Sequence, residues 1–150
     1  MKKIVGIVAG IIILAAIICG LFFGKDYIVN NNPEPTKEVA TQTYENFLDK
    51  MQSTNDEDFY NNLLSKSLQD RFTLEDITLL NTYLREVGKI KNFDKNNIKY
   101  TKKEDGDKNS YVISSEIEFE NATKTVEIVV KYENGEYKIS DYYYSETIEF

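Results

Sequence analysis

An uncharged apolar run near the start of the sequence limits what the rest of the chain can form. It spans residues 4–24, and Lys2 and Lys3 precede it. A helix of these 21 residues is about 31 Å long, which matches the roughly 30 Å hydrocarbon core of a bilayer. We therefore predict a transmembrane helix over 4–24 after a cytoplasmic end at 1–3. The flanking lysines favour a cytoplasmic N-terminus, which predicts a single-pass protein of the cell membrane with an extracytoplasmic domain.

Two other interpretations of this run stay open, a cleaved secretory signal and a lipoprotein signal. A cleaved signal has a shorter apolar region followed by small residues, whereas this run continues through Phe22 and Phe23. A lipoprotein signal needs a cysteine such as Cys19, but the bulky Ile18 precedes it. An uncleaved signal-anchor helix therefore fits the length and the flanks best.

Small residues in the run recur at a spacing that lets two membrane helices approach closely. Gly6 with Gly10 and Gly20 with Gly24 form two small-x-x-x-small pairs on one side of the predicted helix. Glycine is also common in membrane helices that make no such contact. We predict a helix-packing role for these four glycines. The partner would be a second copy of the chain, giving a homo-oligomer, or another envelope protein, in addition to the lipid bilayer around residues 4–24.

The charge and composition of the remaining chain exclude several classes of function. After Gly24 the sequence holds 25 acids and 16 of the 18 bases, a net charge of −9. Such a domain repels phosphate backbones, so no nucleic-acid binding is expected. The chain has no His, and its one Cys lies in the apolar run. We therefore predict no catalytic residue, no metal ligand and no cofactor.

Residues 25–35 contain both prolines of the chain and predict an extended linker to a domain over 36–150. Apolar residues at helical spacing predict a first helix over 37–52. The pattern Thr54-x-x-Glu57 is typical of a capping box and predicts a second, shorter helix. The domain therefore begins with helices.

A third helix is predicted between Thr73-x-x-Asp76 and Gly88, since glycine commonly ends a helix at the C′ position. Its apolar residues at helical spacing are Ile77, Leu80, Tyr83, Leu84 and Val87. After Gly88 the apolar period changes from 3.6 to 2, which indicates strands.

Four strands are predicted after the third helix. Ile98 and Tyr100 mark the first, and the second alternates apolar residues with glutamates over 111–120. Asn134-Gly135 is a hairpin signal that joins the third strand to a fourth. Helices followed by an antiparallel meander predict an α+β fold, with about three helices packed on a four-stranded antiparallel sheet. The fourth strand is expected to carry Tyr137, Ile139 and Tyr143 on one face.

Two short segments carry a resemblance to a known kind of domain. In residues 83–88, Tyr-Leu-Arg-Glu-Val-Gly, a helix ends in Gly ahead of the sheet, and residues 133–139 are Glu-Asn-Gly-Glu-Tyr-Lys-Ile. Over nearly all of 37–144 the chain resembles the cystatin-like or nuclear-transport-factor-two-like α+β rolls of small bacterial membrane-anchored proteins of unknown function. Catalytic members use Asp, His or Tyr inside the roll. The resemblance therefore implies a roll, and the missing His argues against an enzyme.

Tyrosines on the predicted sheet are the candidate ligand-binding residues. We expect Tyr111, Tyr132, Tyr137 and Tyr143 to line the mouth of the roll, where such folds hold small ligands. Tyrosine suits this place because it combines an apolar ring with one hydrogen-bonding tip. Core packing would explain the same residues, and this alternative stays open.

Two acidic clusters have ordinary explanations. Residues 105–110 begin like a calcium loop with Glu116 at its twelfth position, but Ser110 stands where the sharp turn needs Gly. A solvated turn rich in Asp, Gly and Asn is the better interpretation. Residues 56–58 are all acidic, as is favourable at the start of a helix. Neither cluster is predicted to be a site.

These observations together predict a non-catalytic binding or assembly module held outside the cell membrane. One alternative is an assembly subunit of a type IV secretion or conjugation-like envelope machine, which has the same order of one membrane helix and an outer roll. Another is a small-molecule-binding or weakly enzymatic roll. A pocket rimmed by tyrosines would favour ligand binding, whereas a filled core with an exposed apolar patch on the sheet would favour a scaffold.

Overall fold

A computed structural model describes residues 33–103 and 110–146. Those from Glu34 onward belong to one compact unit. The predicted membrane helix with its four glycines, and residues 105–109 of the candidate calcium loop, lie outside these ranges. No helix within the described ranges is both long and apolar enough to cross a bilayer.

The domain is α+β, with four helices packed on a five-stranded antiparallel sheet. The α-helices are α1 (Lys37–Gln52), α2 (Asp56–Asp58), α3 (Lys66–Gln69) and α4 (Leu74–Arg85). A π-helical turn over Phe59–Leu63 continues α2, and a 3₁₀ turn over Lys95–Asn97 follows the first strand. The strands are β1 (Ile90–Phe93), β2 (Lys99–Lys102), β3 (Ser110–Phe119), β4 (Thr123–Glu133) and β5 (Glu136–Glu146). The predicted α+β class is confirmed. The prediction of about three helices and four strands falls short by one of each, because α3 and β1 were not predicted.

The sheet is ordered β1-β3-β4-β5, and β2 also pairs with β3. β1 pairs with the end of β3, where Phe93 lies opposite Ile117, and β2 pairs with its beginning, where Tyr100 lies opposite Ile113. The two short strands therefore share one edge of β3. A register shift in β1 at Lys91 interrupts the period of two, which is why the pattern did not reveal this strand.

The closing hairpin has the predicted turn and an irregularity that was not predicted. Asn134 and Gly135 have φ of 51° and 90°, as a two-residue hairpin turn of type I′ requires. Farther along, Val130 pairs with Ile139 but Val129 pairs with Asp141, so one extra residue bulges from β5. The bulge changes which side chains of the strand face the helices.

The helices cover one face of the sheet and fill the space above it. The predicted apolar residues of α1 are all buried: Ala40, Tyr44, Phe47, Leu48 and Met51. The Tyr44 hydroxyl donates to the backbone oxygen of Val126 at 2.7 Å and so ties α1 to β4. Three aromatic rings pack against one another with their centroids 5.4 to 5.9 Å apart, those of Phe47, Phe59 and Tyr142. The interior of the domain is therefore packed with side chains.

The helix starts are set by local capping, with one correction. Thr73 and Asp76 form a reciprocal capping box at the start of α4, where the third helix was predicted to begin. The box predicted at Thr54-x-x-Glu57 is wrong by one residue. Asn55 caps α2 instead, because its side chain accepts from the Asp58 N–H at 3.1 Å.

Candidate functional site

Three of the four predicted ligand-binding tyrosines come together at one end of the sheet. Tyr132 and Tyr137 face each other across the hairpin, with ring centroids 5.1 Å apart, and Tyr111 is buried beside them. Burial raises the pKa of both Tyr111 and Tyr137, and the nearby carboxylate of Glu34 raises it further. Pro35 is also buried. The segment that leads into α1 thus lies close to this cluster.

Tyr143 lies on the other face of the sheet and does not join the cluster. The bulge at Ser140 puts Tyr142 and Tyr144 on the helix side, so Tyr143 points away with 45% of its surface exposed. Its hydroxyl donates to the carboxylate of Glu127, and this hydrogen bond, with partial burial, raises the pKa of Tyr143 to about 12. The predicted ring of four tyrosines is therefore a cluster of three.

Helix α4 exposes large apolar side chains at its centre. Leu79 is 73% exposed and Tyr83 is 68% exposed, and their spacing of four residues puts them on the same side of the helix. Leu80, beside them, is 38% exposed, whereas Ile77 and Leu84 are buried. We call Leu79, Leu80 and Tyr83 the α4 apolar face. The apolar spacing alone does not distinguish these exposed residues from the buried ones.

An open groove continues from the α4 apolar face to the turn between β3 and β4. Its volume is about 390 Å³, within the size range of ligand pockets. Leu79 and Leu80 lie outside its lining, so the face and the groove are adjacent rather than identical. The groove is lined by Tyr83, Leu84, Glu86, Val87, Asn121, Ala122, Lys124 and Tyr144.

Tyr144, one of the residues that line this groove, also carries an unsatisfied polar atom that is buried in the domain. Its ring stacks on Phe119, with centroids 5.4 Å apart. Its hydroxyl oxygen is buried and has no hydrogen-bond partner among the described residues. Burial raises the pKa of Tyr144 well above its usual range, so the hydroxyl is neutral. Unpaired buried hydroxyls are uncommon in folded proteins, which singles out this position.

A buried polar network fixes the side of α4 that faces the domain. The Arg85 guanidinium pairs with the Asp56 carboxylate, and its Nε donates to the Met51 backbone oxygen at 2.7 Å. Asn81 donates to Asp56 at 2.8 Å and accepts from the Tyr142 hydroxyl at 2.8 Å. Such a network holds its members in one geometry. It therefore sets the rotation of α4 about its axis and keeps the apolar face outward.

Asp56 is the residue that sequence reasoning missed. Their place at a helix start is enough to explain the acids at 56–58 as favourable charges. That explanation suits an exposed acid, whereas Asp56 is buried. One signal was available: Asn81 is a polar residue between Ile77 and Leu84 on the inner side of α4, where a buried amide needs a partner.

The end of α4 is held against the turn between β3 and β4. Gly88 has φ of 90°, and a Cβ there would lie 2.7 Å from the Cβ of Glu120. The Glu120 N–H donates to the Lys89 oxygen at 2.9 Å, and the Asn121 N–H donates to the Val87 oxygen at 3.0 Å. These contacts fix the spacing between the two walls of the groove.

Neither a metal-binding cluster nor a known relative assigns this region a function. Residues 33–103 and 110–146 hold no group of three or more His, Cys, Asp or Glu side chains placed to bind a metal ion. The chain matches no protein-family model, no curated protein and no solved structure. The chemistry that the region offers is an exposed apolar helix face and a groove beside it.

Proposed function

We propose that the chain is a non-catalytic assembly protein of the cell membrane whose extracytoplasmic roll domain binds another protein through the α4 apolar face. The observation that carries this proposal is the exposure of Leu79 and Tyr83, each more than two thirds accessible on one side of a helix. Single exposed apolar residues are normal, but a contiguous patch indicates an interaction surface. The buried network under α4 supports a face that is already in place before a partner arrives.

The membrane part of the proposal rests on the sequence. The uncharged run over 4–24 and the lysines before it favour a signal-anchor helix with the domain outside the cytoplasm. The 11 residues of the 25–35 linker reach at most about 40 Å when fully extended. The domain would therefore work close to the bilayer, and its partner would be another protein of the envelope.

Small-molecule binding is the second candidate function, and the groove volume of about 390 Å³ favours it. The two candidates use different residues. A small ligand would enter the groove, whose lining excludes Leu79, whereas a protein partner would cover both groove and face. Leu79→Glu should therefore weaken the binding of a protein partner and leave the binding of a small ligand unchanged.

In-cell photo-cross-linking tests the proposal. We place the photoreactive residue p-benzoylphenylalanine at Tyr83 of the full chain, and at Tyr143 in a matched control on the opposite face of the sheet. We expect one discrete adduct with another protein from position 83 only. Adding Leu79→Glu should lower its yield at least about tenfold, since losing a buried leucine contact costs on the order of 1.5–3 kcal/mol. Equal adducts at both positions, or a yield that Leu79→Glu leaves unchanged, would refute the proposal.

A further inference from the structure

We infer that the occupant of the α4 apolar face is an apolar helix of a partner protein that carries Lys or Arg at both of its ends. This inference rests on the proposed function and adds the chemistry of the partner. It follows from how charge is distributed along α4. No charged residue lies between 77 and 84, but Glu75 and Asp76 precede this stretch and Glu86 follows it, all three exposed. The exposed side of α4 is thus apolar at its centre and acidic at both ends.

The one base on α4 does not change this distribution. Arg85 is turned toward Asp56 and Met51, where its guanidinium is bound. Lys124 also lines the groove, but it comes from β4, on the wall opposite α4. A basic end of the occupant would therefore lie over Glu86, on the α4 side. Opposite charges placed this way steer the partner and fix its register along α4.

The length of the uncharged stretch sets the size of the occupant. The acids that bound it on the exposed side, Asp76 and Glu86, are ten residues apart, which is about 15 Å along a helix. Two helices packed side by side cover each other over comparable lengths, so the matching helix has about ten apolar residues between its basic ends. The groove beside Tyr83 would receive one bulky side chain near an end of that helix. This is recognition of a helix by an apolar groove with charged ends.

Charge also argues against two other occupants. If α4 packed antiparallel on a second copy of itself, Glu75 and Asp76 of one copy would face Glu86 of the other, and like charges repel. A bilayer with anionic headgroups would be repelled by a domain with 25 acids and 16 bases. A helix with basic ends is repelled neither by the acids at the ends of α4 nor by the net negative charge of the domain.

The test uses the full chain in nanodiscs of zwitterionic lipid, with p-benzoylphenylalanine at Tyr83. Two synthetic helical peptides share one core of ten apolar residues and end in two Lys or two Glu at each terminus. We expect the Lys peptide to cross-link about tenfold more than the Glu peptide, equivalent to about 1.4 kcal/mol. The difference should shrink as salt is raised, because added ions screen exposed charges. Position Tyr143 again serves as the control for nonspecific contact.

A charge reversal in the protein gives the decisive comparison. The double variant Glu75→Lys, Glu86→Lys should prefer the Glu peptide. Equal yields for the two peptides, or an unchanged preference in the double variant, would overturn the inference. A chain–chain adduct at Tyr83 would identify a second copy as the occupant, and a lipid adduct would identify the bilayer, so both would overturn it too. If the two peptides cross-link equally while the in-cell adduct at position 83 is still formed, the proposed function stands and this inference is wrong. If that adduct is absent as well, both fall.

Discussion

Tyr142 and Tyr144 point to the same side of β5, yet only one of their hydroxyls has a partner within the described residues. The Tyr142 hydroxyl donates to Asn81, while the Tyr144 hydroxyl has been removed from water without compensation. A buried polar atom that loses or lacks its partner costs about 1–3 kcal/mol. Substitutions at the two positions therefore measure different quantities. At Tyr142 they measure the stability that a hydrogen bond contributes, and at Tyr144 they measure the stability lost by burying an unpaired hydroxyl.

We expect opposite effects from the same substitution at these two tyrosines. Tyr144→Phe should leave the free energy of unfolding unchanged or raise it by about 1 kcal/mol, because it removes an unsatisfied group. Tyr142→Phe should lower it by about 1–2 kcal/mol, because Asn81 then loses a donor. Urea unfolding of the full chain in micelles, followed by circular dichroism, measures both values. An equal decrease in the free energy of unfolding in the two variants would show that the Tyr144 hydroxyl does have a hydrogen-bond partner.

The exposure of Leu79 makes a second prediction at the residue scale. Leu79→Glu should change the free energy of unfolding by less than about 0.5 kcal/mol, as surface substitutions usually do. Leu84→Ala, in the core five residues farther along α4, should cost about 2–5 kcal/mol because it leaves a cavity. Thermal or urea unfolding of both variants distinguishes them. If Leu79→Glu were as damaging as Leu84→Ala, the loss of a cross-link in that variant would reflect unfolding rather than a lost contact.

At the scale of the elements, sequence predicts what local chemistry sets and fails where a strand carries an extra residue. α1, the start of α4 and the closing hairpin all follow from caps, apolar spacing and turn residues close in the chain. The extra residues at Lys91 and Ser140 shift the side-chain period, so β1 was missed and Tyr143 was assigned to the wrong face. One clue was present, because strict alternation from Ile139 would have buried Asp141.

The two glycines with positive φ predict a difference between two turns. Gly88 and Gly135 both have φ of 90°, so alanine at either position strains the backbone, at about 1–3 kcal/mol. At Gly88 the new Cβ would also meet the Cβ of Glu120 at 2.7 Å, whereas at Gly135 nothing lies within 4 Å. Gly88→Ala should therefore destabilise the domain more than Gly135→Ala and should loosen the groove. Urea unfolding measures the free energy of unfolding of both variants. An equal decrease in the two would mean that Glu120 moves aside without an energetic cost.

For the whole molecule, the candidate site depends on contacts between segments far apart in the chain. Asp56 meets Arg85 and Asn81 from 25 to 29 residues away, and Tyr142 joins them from 61 residues beyond Asn81. No pattern of neighbouring residues in the sequence predicts contacts between segments so far apart. The apolar spacing of α4 likewise does not say which apolar residues another element will cover. The fold class could therefore be predicted from the sequence, while the exposed face and the network beneath it could not.

Buried tyrosines make the stability of the whole domain sensitive to alkaline pH. Burial raises the pKa of Tyr44, Tyr142 and Tyr144 in the folded state, and the Glu127 contact raises that of Tyr143 to about 12. The unfolded value is about 10. The unfolded chain therefore loses these protons at lower pH than the folded one. The stability that these groups contribute is fully present below pH 10 and is lost as the pH rises toward 12 and beyond.

We expect the free energy of unfolding in urea to fall from about pH 10 upward. Tyrosinate absorbance at 295 nm should show fewer ionised tyrosines at pH 11 in the folded chain than in the unfolded chain. The variant Tyr144→Phe removes one of these groups and should make the decline with pH less steep. A stability that stays level from pH 8 to pH 11 would contradict the prediction.

The edges of the sheet have a consequence for the domain at high concentration. On one side the edge is split between β1 and β2, each of four residues, with the turn at 95–97 between them. On the other side, the backbone oxygens of Ile139 and Ser140 already accept from the Ser65 N–H at 2.8 Å and from Arg71 at 3.1 Å. Short or covered edge strands are poor templates for strand addition. Copies of the domain at high concentration would thus resist joining edge to edge into amyloid-like aggregates.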